Sequence, residues 1–338
     1  MSKQREGETR REGDRERGRQ NSPCLLVSLS PCLLVWIPLT LCLMIALSAC
    51  STVEQAFGPP PTPTPPIMAY NNAVATARAG TDTKAQAAAV YERANYRLDR
   101  GEYADAITDY NQALALDPTN ARAFNNRALA HAALGQVEQA LADYAEAIRL
   151  DPNYARAYQN RAQLLKQQGN LKDMAADYER LAALQPEKRA IFRYEQGSAL
   201  YSLRDFAGAR AAFDAAIAAD PQQVDALYER GLLNFTEQKL DAAIADFDAA
   251  VRLSPRAANA YYARGLARSA QGDQTRAIAD FTEALRLRSD YAEALLGRAT
   301  AYHAVNDNAK ARADLAQLEK MQLNETMQAA VEALQQQL

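Results

Sequence analysis

The feature that most constrains this chain is that it repeats itself: from residue 87 to residue 321 one pattern returns seven times, 34 residues apart with a single interval of 35. A unit of this length cannot bury its own apolar face, so its core must come from stacking on its neighbours. The two ordinary domains that 338 residues would otherwise suggest give way to one linear array. Pro118, Pro152, Pro186, Pro221 and Pro255 close five of the units, where a residue lacking an N–H cannot continue a helix. With each proline counted as position 32, Gly101, Gly135, Gly169 and Gly272 fall at position 15, between two helices, where the chain needs a residue free to take positive φ.

Side-chain size alternates in the same register. Position 8 is small (Ala94, Ala128, Ala162, Gly197, Gly231, Gly265, Ala299), and positions 20 and 27 are mostly Ala. Position 24 is large (Tyr110, Tyr144, Tyr178, Phe213, Phe247, Phe281, Leu315). Small against large across antiparallel helices allows close approach. The pattern resembles the tetratricopeptide repeat family over residues 87–321, with units at 87–120, 121–154, 155–188, 190–223, 224–257, 258–291 and 292–321. That resemblance implies an all-α, right-handed superhelical solenoid of seven antiparallel helix–turn–helix repeats. Departures are local: repeat 7 has Asn306 and Glu319 where a turn glycine and an aliphatic residue are usual, and repeat 6 ends in Ser289. Residues 68–86 read as a lead-in segment or short helix. Residues 322–338 read as a capping helix begun by Asn324, with Met327, Val331 and Leu334 toward the last repeat.

One pairing follows from the residues alone. Position 7 is Arg in six repeats (Arg93, Arg127, Arg161, Arg230, Arg264, Arg298), and position 23 is Asp in the same six (Asp109, Asp143, Asp177, Asp246, Asp280, Asp314). Repeat 4 has Gln196 and Ala212 and loses both together. A pair formed between neighbouring repeats would strand one partner next door, so the expectation is an Arg–Asp bridge within each repeat. A basic ladder for a polyanion is the weaker reading, because six carboxylates would cancel it.

In the resembled family the first helices line the inner wall of the superhelix, with positions 2, 5, 6, 9, 12 and 13 toward the groove. Carried over, repeats 1–3 offer Asn95, Arg122, Asn125, Asn126, Arg156, Gln159, Asn160, Gln163 and Lys166, an amide-rich and cationic half. Repeats 4–6 offer Tyr194, Glu195, Tyr201, Asp225, Tyr228, Glu229, Asn259 and Tyr262, an aromatic and acidic half. Amides and Arg at regular spacing suit the backbone of an extended peptide, and Tyr adds apolar area with a hydrogen-bonding tip. Asn95, Asn126 and Arg156 also resemble part of a carboxylate clamp found in some relatives, with Tyr91 and Asn160 where two basic residues would stand. The 35-residue interval, at Glu187, Lys188 and Arg189, is expected to change the superhelical pitch and set the two halves at an angle.

The N-terminus reads as an address. Residues 21–53 carry no charge, and the apolar run 32–47 suits a signal sequence. It ends in Leu47, Ser48, Ala49 and Cys50, which resembles a bacterial lipobox followed by a polar and then a proline-rich stretch. The expectation is a signal peptide over 1–49 and lipidation at Cys50, with a diacylglyceryl group and an N-acyl chain anchoring the protein outside the cytoplasm. Ser51 favours the outer membrane in a two-membrane envelope. An uncleaved membrane helix is the alternative, although Pro31 and Pro38 interrupt it. Residues 22–27 recur as 30–35, as translated repetitive DNA would, so the functional start is expected downstream of residue 21. Residues 50–67 form a linker whose proline run, 59–66, would reach ~25 Å as polyproline II at about 3.1 Å per residue.

All four cysteines lie at or before Cys50, leaving none in the repeats for a disulfide or metal site. The only histidines, His131 and His303, are five repeats apart and cannot share a site in a solenoid. No phosphate loop or nucleophile elbow appears, and a net charge of -3 gives no nucleic-acid footprint. The reading is therefore a non-catalytic scaffold without cofactor or metal, binding a protein or peptide partner of the cell envelope in its groove. The second reading is a binder of an envelope polymer, peptidoglycan or polysaccharide, on the Tyr-rich half.

Overall fold

The computed structural model describes residues 66–338. The signal sequence, Cys50 and the proline run up to residue 65 lie outside the described residues. Sixteen α-helices and no strand occur among those described. A lead-in helix α1 (Pro66–Ala79) is followed by seven antiparallel pairs. These are α2 (Thr83–Asp99) with α3 (Tyr103–Leu116), α4 (Ala121–Ala133) with α5 (Val137–Leu150), and α6 (Ala155–Gln167) with α7 (Leu171–Leu184). Then come α8 (Arg189–Ser202) with α9 (Phe206–Ala219), α10 (Val224–Thr236) with α11 (Leu240–Leu253), α12 (Ala258–Ala270) with α13 (Gln274–Leu287), and α14 (Ala292–Ala304) with α15 (Asn308–Leu318). Helix α16 (Glu325–Gln335) closes the array. The result is an all-α solenoid in which each helix packs on its sequence neighbours.

The helix ends follow from local chemistry. Helix α2 starts at Thr83, four residues before the repeat boundary placed at 87, because the Asp82 side chain accepts from the N–H groups of Lys84 and Ala85 and caps the helix there. Asn120, Asn170, Asp205, Asp273, Asp307 and Asn324 cap other helices in the same way. The first helix of every repeat ends in one motif: in repeat 1 the Gly101 N–H donates to Leu98 O at 3.0 Å and the Glu102 N–H to Arg97 O at 2.9 Å. The motif places position 15 at positive φ, from 59° at Gln238 to 90° at Gly272. Arg204, Gln238 and Asn306 adopt that conformation in the three repeats lacking the glycine.

Position 8 faces position 24 across each pair. Phe213, Phe247 and Phe281 are fully buried, and a Cβ on Gly231 would stand 2.6 Å from the ring of Phe247. Repeats 1 and 2 carry Ala against a fully buried Tyr instead. Tyr178 in repeat 3 is only half-buried and stacks with Phe192 of the next repeat, ring centroids 6.1 Å apart.

The six aspartates at position 23 are buried, and each receives the arginine of its own repeat. In five of them Nε donates to one carboxylate oxygen and Nη2 to the other, at 2.6–3.0 Å. In repeat 6 the Arg264 Nε is shared between both oxygens of Asp280 at 3.1 Å. The third nitrogen, Nη1, reaches back to position 25 of the preceding repeat. Arg127 bonds Asn111 at 2.7 Å, Arg230 bonds Asp214 at 2.7 Å, Arg264 bonds Asp248 at 2.6 Å and Arg298 bonds Thr282 at 3.2 Å. Arg93 makes the equivalent bond to Asn71 on α1 at 3.1 Å, which ties the lead-in helix into the stack. Position 25 ahead of Arg161 is Ala145, and no such bond forms there. Repeat 4 replaces the arrangement: Arg193 donates to the buried Gln196 at 2.8 Å and to Glu179, again position 25 of the preceding repeat, at 3.4 Å.

The extra residue between repeats 3 and 4 is taken up by a 3-10 turn, Pro186–Lys188, running directly into α8. First helices of successive repeats approach one another at the five other joints, but α6 and α8 do not. At the far end, Val331 and Leu334 of α16 are buried against repeat 7 while Met327 is half-buried.

Two outcomes are expected. A side chain at positive φ costs roughly 1–2 kcal/mol, offset by the ~0.5–1 kcal/mol that a glycine adds to unfolded-chain entropy. Gln238→Gly should therefore raise stability by about 0.5–1 kcal/mol in thermal unfolding, and a loss would show that the Gln238 side chain holds the turn. In repeat 3, burial outweighs the pull of Arg161 and leaves the Asp177 carboxyl above its ordinary range, so breaking the pair matters more than lacking it. Asp177→Ala alone should cost about 3 kcal/mol. Combined with Arg161→Gln, which reproduces the composition of repeat 4, it should cost about 1–2 kcal/mol less than the sum of the two single changes; additive losses would mean the pair is not coupled.

Candidate functional site

The first helices form one wall, and its two ends differ in how their polar groups are used. In repeats 1–3 the amides bond one another. Asn160 donates to Asn125 at 2.9 Å, Asn125 to Asn126 at 2.9 Å, and Asn126 to Asn95 at 2.9 Å and to the Tyr91 hydroxyl at 3.4 Å. Tyr110 donates to the same Asn95 oxygen at 2.8 Å. Asn125, placed by position among the groove residues, is buried inside this ladder and is not a groove residue. The resemblance to a carboxylate clamp meets the same fact, because Asn95 and Asn126 bond each other. Arg122 and Arg156 are exposed and have no hydrogen-bond or ion-pair partner among the described residues. Tyr154, which position counting overlooks, is half-buried and lies in the field of both arginines; burial pushes its phenol up and the two arginines oppose that.

In repeats 4–6 the position-5 tyrosines lean on the position-24 phenylalanines of their own repeats. Ring centroids are 6.3 Å apart for Tyr194 and Phe213, 5.9 Å for Tyr228 and Phe247, and 5.9 Å for Tyr262 and Phe281, all tilted. Burial pushes the phenols of Tyr194 and Tyr262 up to about 12. Tyr291, also missed by position counting, packs 4.9 Å from Tyr262. Both overlooked tyrosines stand directly before a first helix, where repeat 2 has the capping Asn120, and a large aromatic in a capping place is the signal that could have found them. Tyr201 sits apart, edge-on to Phe206 at 5.5 Å beside the turn.

The charges complete the contrast. Lys166 and Glu195, from opposite halves, form an ion pair at 3.1 Å across the joint where α6 and α8 stand apart. Asp225, Glu229 and Glu293 have no basic partner among the described residues. Burial, and then the neighbouring Asp225, hold the Glu229 carboxyl above the ordinary glutamate range. His131 and His303 each bond a residue of their own repeat, Gln136 and Asn308. No group of three or more His, Cys, Asp or Glu among the described residues could hold a metal ion.

A family model described as tetratricopeptide repeat matches residues 160–223, 194–258 and 262–322, and another, described as TPR repeat, matches 94–135 and 130–169. No curated protein sequence matches the chain. Among solved structures, the C-terminal part of a TPR repeat-containing protein from Cytophaga hutchinsonii is 18% identical, covers 71% of this chain and 98% of its own, and superposes with a TM-score of 0.57. YrrB, a TPR protein with an unusual peptide-binding site, is 22% identical with 55% and 95% covered and a TM-score of 0.47. MamA from Desulfovibrio magneticus RS-1 is 21% identical with 49% and 93% covered and a TM-score of 0.46. At 18% identity the likeness to the Cytophaga hutchinsonii protein bears on the fold alone.

Glu229 yields a prediction about pH. A carboxyl whose folded pKa lies above its unfolded value favours the folded state in its protonated form, and that contribution is lost as pH rises through the folded value. Glu229→Gln should therefore raise the thermal midpoint at pH 7 and leave it nearly unchanged below the ordinary glutamate range, where Glu229 is protonated in both states. Equal shifts at both pH values would exclude a charge effect.

Proposed function

The chain belongs to the tetratricopeptide repeat family, and on that premise we propose that it is a scaffold holding an extended segment of a partner protein along the wall of its first helices, tethered outside the cytoplasm by lipid on Cys50. The observation that carries the binding reading is the pair of unneutralised charge sets at opposite ends of one wall, Arg122 and Arg156 in repeats 2 and 3, and Asp225, Glu229 and Glu293 in repeats 5 and 7. Charges left without intramolecular partners, one of them half-buried, lower the stability of the array, and a charged ligand gives them partners. The tilted packing of Tyr228 and Tyr262 on phenylalanines favours a peptide over a polysaccharide, since rings wedged against the core offer edges and hydroxyls more than free faces. The anchor rests on the sequence context of Cys50, and the proline run after it would hold the array clear of the bilayer.

Both parts are testable with the full-length protein. Cross-linking and pull-down from detergent-extracted cells should recover a protein partner that is lost with Arg122→Glu plus Arg156→Glu or with Asp225→Lys. Retention on purified peptidoglycan, insensitive to these changes, would instead select the envelope-polymer reading. Cys50→Ser should abolish incorporation of labelled palmitate and release the protein from the membrane fraction. A variant that still sediments with membranes would select an uncleaved membrane helix over the lipid.

A further inference from the structure

On the same wall, between α12 and α14, lies an open cavity of about 270 Å³. Its lining is mostly apolar: Tyr262, Leu266, Phe281, Leu296 and Gly297, with Met327 of the capping helix at its edge. Gly297 makes the space. It stands at position 6, which carries Asn126, Asn160, Glu195 and Glu229 in other repeats, and a Cβ there would come within 2.9 Å of the Phe281 ring. Where repeats 2–5 carry a polar side chain at this position, repeat 7 thus has a depression floored by a core aromatic.

Its rim is acidic. Glu293 lines the opening, and Tyr262 on the opposite side lies in the field of both Glu293 and Tyr228. Tyr228 in turn neighbours Glu229, which has Asp225 beside it one helical turn away. These three carboxylates have no basic partner among the described residues, and the nearby Arg288 is stacked over the ring of Tyr291. The depression suits one bulky apolar side chain, and the carboxylates running from it toward repeat 5 suit cations spaced along the same strand of ligand.

We propose that this cavity is the anchor site of the groove and that its occupant is a basic segment of a partner protein, carrying one large apolar residue in the cavity between Tyr262 and Gly297 with Lys or Arg side chains against Glu293, Glu229 and Asp225. The ligand's direction follows: its basic, apolar part lies on repeats 5–7, and any acidic part lies toward Arg122 and Arg156. This rests on the peptide-scaffold reading above and adds to it the chemistry of the ligand.

The test is selection of a random dodecapeptide display library on the full chain, followed by titration of the most enriched sequence as a synthetic fluorescent peptide. Enriched peptides should combine a Leu, Phe or Trp with at least two basic residues. Thr300 is an exposed residue on the cavity rim, so Thr300→Trp fills the opening without touching the core and should weaken binding by about tenfold, or about 1.4 kcal/mol. Glu293→Lys, also at an exposed position, should weaken it at least as much, and both variants should keep the helical circular-dichroism spectrum of the parent. Enriched peptides without basic residues, or binding unchanged by both variants, would overturn the anchor site while leaving the groove reading intact. A library from which nothing is enriched would remove both.

Discussion

The guanidinium at position 7 is the group on which the stack depends. Its five N–H donors in a rigid fork bind a buried carboxylate through two nitrogens and leave the third free to point along the solenoid axis. Arg127, Arg230, Arg264 and Arg298 use that third nitrogen to hold the preceding repeat, and Arg93 uses it to hold α1. One side chain thus fixes the angle between the two helices of a repeat and also the step to the next. A lysine, with a single charged nitrogen on a flexible stem, could not do both. Because the aspartate is buried, the arrangement tolerates loss of both members, as in repeat 4, better than loss of one.

Repeat 4 shows what happens when that rule is relaxed. Gln196 and Ala212 remove the bridge, Arg193 supplies the link to Glu179 from one turn earlier on α8, and an additional residue is absorbed in a 3-10 turn. The first helices α6 and α8 then stand apart, while α8 leans on α7 and Phe192 stacks on Tyr178. The wall is interrupted at the point where its chemistry changes, and the long side chains of Lys166 and Glu195 span the interruption as an ion pair. Each half is therefore a stretch of near-ideal stacking, and the irregularity lies between them.

On the wall itself, polar residues divide into those that complete the fold and those that do not. The amides of repeats 1–3 bond one another from Asn160 to Asn95, so they rigidify the wall and offer a ligand little. The charged groups are the reverse: Arg122, Arg156, Asp225 and Glu293 have no partner among the described residues, and Glu229 is held half-buried beside a like charge. Local rules of stability broken without an internal compensation are what a binding surface shows. The Gly297 depression has a different origin, since a Cβ there would crowd the Phe281 ring and the glycine keeps that ring in place.

The sequence by itself determined the helix–turn–helix period, the positive-φ turns, the small-against-large packing of positions 8 and 24, and the pairing of Arg with Asp inside each repeat. All of these lie within about 34 residues of chain, where local spacing is enough to say which side chains meet. Even the loss of the bridge in repeat 4 was legible, because both partners vanish together. The tertiary structure alone decided what happens between repeats: the third bond of each arginine, the amide ladder that buries Asn125, the separation of α6 from α8, and the roles of Tyr154 and Tyr291. These depend on the rotation from one repeat to the next, which superposes residues about 34 apart at angles that periodicity leaves open. Position counting can therefore name the wall, but which of its polar groups remain available to a ligand is settled only when neighbouring repeats are brought into contact.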